Sequence, residues 1–185
     1  MSTKLRATID DLYRIPENGK AELVNGEIVR LMPTGDEPGY AGDEIFASLR
    51  EYVRSLGIGR AVGDNKGFLV NLPNRQSFSP DAAYYTGPRS GMRFFPAAPA
   101  FAAEVRSEGD YGPLAEEAMA AKRADYFAAG TQVVWDVDLR SDEVVRKYTL
   151  ANQVIPTIYR RGDLADAEPA VKGWRMAVDE LFEKD

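Results

Sequence analysis

A chain of 185 residues is long enough to bury a sizeable core in one domain and short for two. Its 44% hydrophobic and 28% charged residues are those of an ordinary globular protein, and a net charge of −6 argues against broad nonspecific nucleic-acid binding without excluding a local basic cleft. The sequence has neither Cys nor His, which excludes disulfides, cysteine nucleophiles, histidine bases and the usual zinc centres, so any catalysis must use carboxylates, Lys, Arg, Tyr, Ser or a hard cation. No apolar run reaches the length that spans a bilayer, and the first twenty residues lack the apolar core of a secretory signal; no membrane contact and a cytoplasmic location are expected.

Taken in order, Thr8 with Asp11 three residues on reads as an N-cap, so a short helix is expected from Ile9 to about Ile15, ending at Pro16. Asn25-Gly26 between Glu22-Leu23-Val24 and Glu27 to Leu31 is a strong hairpin signal, because a two-residue turn needs positive φ at both centres. Pro33 to Gly42 reads as a polar loop. From Asp43 to Leu56, the residues Ile45, Phe46, Leu49, Tyr52, Val53 and Leu56 recur at helical spacing and predict one apolar face.

Arg60 to Leu72 reads as a strand pair or one long irregular strand, interrupted at Gly63 and Gly67. Ser79-Pro80-Asp81 then leads into AAYY, a short strand with Asp81 near its start. Gly87 to Pro96 is expected to be a loop. The stretch from Phe101 to Asp138 predicts a strand carrying Glu104, a helix from Pro113 to about Ala129 capped at Gly130, and a second strand VVWDV: a crossover unit of the kind that builds parallel strands. On the helix, Leu114, Ala118, Ala121, Asp125 and Ala128 suggest the side that packs on the sheet, and Lys122, Tyr126 and Phe127 form another stripe. Asp142 to Leu150 and Val154 to Tyr159 read as strands joined at Ala151-Asn152, and the closing segment as a short strand and helical turn docking Trp174, Met176, Val178, Leu181 and Phe182.

Asp81 and Glu104 fall at or near the ends of neighbouring predicted strands. Two converging carboxylates suit magnesium, which takes a few hard protein oxygens and leaves the rest of its octahedron to water and phosphate. The bland alternative is structural: Asp81 capping a turn, and Glu104 paired with Arg106 or Lys122. From its place on the helix, Lys122 is within reach of Glu104, where it would stabilise developing charge or orient water, although most lysines are simply solvated.

Five blocks, ELVNGEI (Glu22 to Ile28), SPDAAY (Ser79 to Tyr84), EVRS (Glu104 to Ser107), KRADYFAAGT (Lys122 to Thr131) and VVWDVD (Val133 to Asp138), occur in an order that resembles the Uma-two family. These bacterial proteins are labelled restriction endonucleases within the PD-(D/E)xK nuclease superfamily. The resemblance implies an α/β, restriction-endonuclease-like fold, a mixed sheet flanked by helices in a single domain. It further implies a Mg2+ (or Mn2+) site at Asp81, Glu104 and the Val105 carbonyl, DNA as substrate, and Lys122 in the role of the superfamily lysine. Arg106 stands where that lysine usually follows the glutamate, and arginine cannot serve as a base. Glu22 matches an accessory acidic position. The chain departs from the family in lacking a histidine after the first hairpin, near Pro38 and Tyr40, and in a longer segment between Glu104 and Lys122. Cutting both strands would suit a homodimer. The rival expectation is a nuclease-fold protein that no longer cuts and serves as a binding or regulatory module.

Overall fold

The structure is a computed structural model and describes residues 6–15 and 19–183. Helix α1 (Ile9–Tyr13) opens on the expected capping box: Thr8 Oγ1 accepts from the Asp11 amide at 3.3 Å, and Asp11 Oδ2 accepts from the Thr8 amide at 2.8 Å. Pro16, the expected stop, lies outside the described residues. Strands β1 (Ala21–Val24) and β2 (Glu27–Arg30) form the hairpin, with Asn25 and Gly26 at φ 53 and 74, as the two-residue turn requires.

Helix α2 runs Asp36–Leu56, seven residues earlier than the periodicity marks, so most of the expected loop from Pro33 to Gly42 is helix. Pro38 is tolerated because it sits in the first turn, where backbone amides have no intrahelical partner, and Asp36 and Glu37 complement the positive end of the helix. The helix ends at Gly57, left-handed at φ 68.

Residues 60–72 do not form one strand. β3 (Arg60–Val62) joins the main sheet, the chain turns away through Asp64 and Asn65, and β4 (Phe68–Leu69) pairs instead with an unexpected two-residue strand, β5 (Ser77–Phe78). β6 (Ala82–Tyr85), β7 (Phe101–Val105), helix α3 (Pro113–Ala128) and β8 (Val133–Val137) follow as predicted, and β7 and β8 are parallel. β9 (Val145–Thr149) and β10 (Asn152–Tyr159, bulged between Asn152 and Thr157) complete a six-stranded mixed sheet in the order β10-β9-β8-β7-β6-β3. A small ribbon, β11 (Leu164–Asp166) with β12 (Arg175–Ala177), and a 3-10 turn at Val178–Leu181 close the chain; β11 had no sequence signal.

Alternation along the central strands decides which face each residue serves. Ala82, Tyr84, Phe101, Ala103, Val105, Trp135 and Val137 turn to one side, where Ala41, Ile45 and Leu49 of α2 pack on them beside Trp174 and Met176. Ala83, Tyr85, Ala102 and Val134 turn to the other, against Phe78 and against Tyr126 and Phe127 of α3. The expected docking side of α3 is thereby corrected: Leu114, Ala118, Ala121 and Ala128 are exposed, and the stripe with Tyr126 and Phe127 meets the sheet. Alanine is weakly apolar and gives no strong preference, whereas two aromatic rings gain far more from burial. No described helix is long and apolar enough to cross a membrane.

Candidate active site

The pairing of β6 with β7 ends at Ala82 against Ala103. Asp81, one residue ahead of β6, donates its amide to the Ala103 carbonyl at 3.1 Å and lines the same cleft as Glu104, while β8 sets Asp136 beside Glu104. Glu104 and Asp136 alternate with Ala103, Val105, Trp135 and Val137 and so belong to the α3 side of the sheet, whereas Asp81 sits at the strand end close to α2, where a Cβ at Gly42 would lie 3.5 Å from its own. Above them lies a cleft of about 680 Å³, walled by Leu31, Met32 and Pro33 after the hairpin on one side and Ala115, Ala118 and Met119 of α3 on the other.

Cations and carboxylates interleave along its floor. Lys122 Nζ lies 2.9 Å from Glu104 and 3.0 Å from Glu22. One turn on, the Tyr126 hydroxyl donates to Glu104 at 2.6 Å while its ring stacks on Phe78 at 3.9 Å between centroids. Glu22, 3% exposed, also accepts from the Ser79 amide at 2.9 Å and from Arg75 at 2.5 Å, and Arg75 in turn donates to Asp125 at 2.8 Å. Asp81 accepts from the Val105 amide through Oδ2 at 2.7 Å and from Lys20 through Oδ1 at 2.6 Å.

The charges set the protonation of the group. Burial pushes the Glu104 carboxyl up; Lys122 pulls it down, and Asp81 and Glu22 push it up again, leaving it above the usual carboxylate range. Burial likewise acts to raise Glu22, but Lys122 and Arg75 outweigh it and hold it low. Burial works against a charged Lys122, yet Glu104 and Glu22 overcome it and push the ammonium above its ordinary value, so it stays protonated.

Arg106 takes no part in this ladder. It donates through Nε and a terminal nitrogen to both oxygens of Asp136, each at 2.8 Å, and pairs with Glu116 at the start of α3. The sequence thus locates Glu22, Asp81, Glu104 and Lys122, which the fold gathers, and Arg106, which it diverts. Lys20, Arg75 and Tyr126 were missed as site residues. Tyr126 was within reach, since it follows Lys122 by four residues and shares its helix face, and Lys20 precedes Glu22 by two. Arg75 sits in an irregular loop with no periodic signal.

Mg2+ would find hard oxygens here, from Asp81, Glu104 and the backbone of Val105, which suits an ion that keeps several waters. Among the described residues no group of three or more His, Cys, Asp or Glu is arranged to hold a metal.

The fold is similar to that of a solved structure described as "a putative nuclease belonging to DUF820" from Anabaena variabilis, with a TM-score of 0.74, 20% identity, and coverage of 95% of this chain and 97% of that one. At that identity the likeness is one of fold. The sequence itself matches the profile of the Uma2 family, "Putative restriction endonuclease", over residues 9–179, which takes in the hairpin, both central strands and the crossover helix. The chain belongs to the Uma2 family.

Proposed function

We propose that this protein is a divalent-metal-dependent nuclease that hydrolyses phosphodiester bonds in DNA. The observation that carries the reading is the meeting of Asp81, just ahead of β6, and Glu104 of β7 in the lining of one cleft, with Lys122 2.9 Å from Glu104. Membership of a family described as restriction endonucleases supports it.

Asp81, Glu104 and the Val105 carbonyl would hold Mg2+ or Mn2+. Such an ion supplies Lewis-acid polarisation of a phosphate and a more acidic bound water. The chain's own residues do the rest. Lys122, kept charged by two carboxylates, offers a cation to a phosphate oxygen and does not take a proton. Tyr126 fixes the orientation of Glu104, and Arg75 fixes Glu22, which in turn positions Lys122. Arg106 is committed to Asp136 and Glu116 and performs no chemistry. A two-fold pair of such clefts would cut both strands of a duplex.

One observation favours a second reading, a nuclease-fold binding module that does not cut: Lys20 on Asp81 and Lys122 on Glu104 balance both carboxylates without an ion. Plasmid cleavage in Mg2+ or Mn2+ separates the two. The nuclease reading expects metal-dependent cleavage by the wild type and a loss of about a hundredfold or more in D81A, several kcal/mol of transition-state stabilisation. Equal cleavage by D81A overturns the site assignment, and no cleavage by the wild type favours the module.

A further inference from the structure

Lys20 lies one residue ahead of β1, and its carbonyl still accepts from the Leu31 amide at 2.9 Å, which extends the hairpin ladder by one rung. Two residues before Glu22, it faces the same side, and its side chain is only 10% exposed. Its ammonium touches two carboxylates, Asp81 Oδ1 at 2.6 Å and Asp64 Oδ1 at 2.7 Å. These two differ in kind. Asp81 lines the cleft, with its other oxygen already taken by the Val105 amide. Asp64 lies outside the cleft lining on the turn after β3, its side chain 39% exposed, and is held there by the Asn65 amide, which donates to Oδ1 at 2.6 Å.

A lysine held between an inner and an outer carboxylate has two resting places, and its flexible stem allows a short swing between them. An ion approaching Asp81 meets an ammonium already at hydrogen-bond distance from Oδ1, and two cations on one oxygen repel strongly where water is scarce. Asp64 offers the displaced charge a partner that is already in place.

We propose that Lys20 is the resident counter-cation of the Asp81–Glu104 site: it competes with a divalent ion for Asp81 and is drawn onto Asp64 when the ion enters. This rests on the reading of Asp81 and Glu104 as ion ligands. It makes Lys20 a positioning residue that sets the affinity of the site and keeps Asp81 paired in the ion-free protein. It also gives Asp64, outside the cleft, a part in metal affinity.

The test is calorimetric titration of Mn2+ into the full chain, with melting temperatures measured in the presence and absence of Mn2+. K20M should bind Mn2+ at least about tenfold more tightly than the wild type, or about 1.4 kcal/mol, and should gain more in melting temperature from the ion. D64N should bind several-fold more weakly, because Lys20 then has only Asp81 to hold. Opposite signs from the two substitutions are not what a simple brace gives, since breaking a brace from either end acts in one direction. K20M binding no more tightly than the wild type, with D81N still abolishing binding, overturns the role of Lys20 and leaves the metal site standing. D81N binding as tightly as the wild type removes the metal site and this inference together. If K20M fails to fold, K20Q and D64N carry the same comparison, and D64N binding at or above wild-type affinity overturns the proposal.

Discussion

Arg106 is the residue whose surroundings decide its part most sharply. It is 5% exposed, spans both oxygens of Asp136 and reaches Glu116, while Asp136 is itself only 3% exposed. Taking the guanidinium away would leave a buried carboxylate that, among the described residues, keeps only the more distant Arg123, 3.8 Å away, as an ion-pair partner. R106M should therefore cost roughly 3–5 kcal/mol in urea denaturation. R106K, which cannot reproduce the paired geometry, should cost about 2 kcal/mol and leave Mn2+ affinity within about twofold of wild type. An R106K variant of unchanged stability would show that the fork is not a brace.

At the scale of elements, the hairpin of β1 and β2 presents Glu22 to Lys122, and its turn makes a specific demand on the backbone. Gly26 has φ 74, and a Cβ there would come within 2.9 Å of the Arg6 side chain. Gly57, at φ 68, has open space around it. G26A should lose more stability than G57A, roughly 2 kcal/mol against about 1, because only the first adds a clash to left-handed strain; equal losses in parallel denaturation curves would contradict the turn geometry.

The same contrast explains what could be read from residues. The hairpin and the parallel crossover each depend on local turn chemistry or a fixed period, and each was legible. The docking side of α3 was not, since a polar-tipped stripe was buried by partners far away in sequence. Lys122 and Tyr126 face inward because Glu22 and Glu104 receive them, and Glu22 arrives from a strand a hundred residues earlier. Arg75, which holds Glu22, was invisible for the same reason. The early turns of α2 were hidden by Pro38, a helix breaker everywhere except where it stands.

Across the whole molecule, the far edge of the sheet is tied down by Asp166, which accepts from Lys147, Tyr159 and the Glu168 amide at 2.8, 2.8 and 2.9 Å. Burial acts to raise its carboxyl, but Lys147, the Glu168 amide and Tyr159 together hold it below its usual 3.8. A depressed carboxylate stabilises the fold above its unfolded value, and the stabilisation is lost as pH falls through the folded one. D166N should cost roughly 2 kcal/mol near pH 7, and its stability should converge on that of the wild type as acid protonates Asp166; a gap that stays constant down to about pH 3 would contradict this.

The active-site assignment rests on one place in the molecule, and crystals soaked in Mn2+ test it most directly. The account predicts an anomalous peak bound by Asp81, Glu104 and the Val105 carbonyl, with Lys122 beside Glu104. Failure to find a peak there at saturating Mn2+, with Lys20 still on Asp81 and Lys122 still on Glu104, would contradict it and leave a nuclease fold held shut by its own lysines.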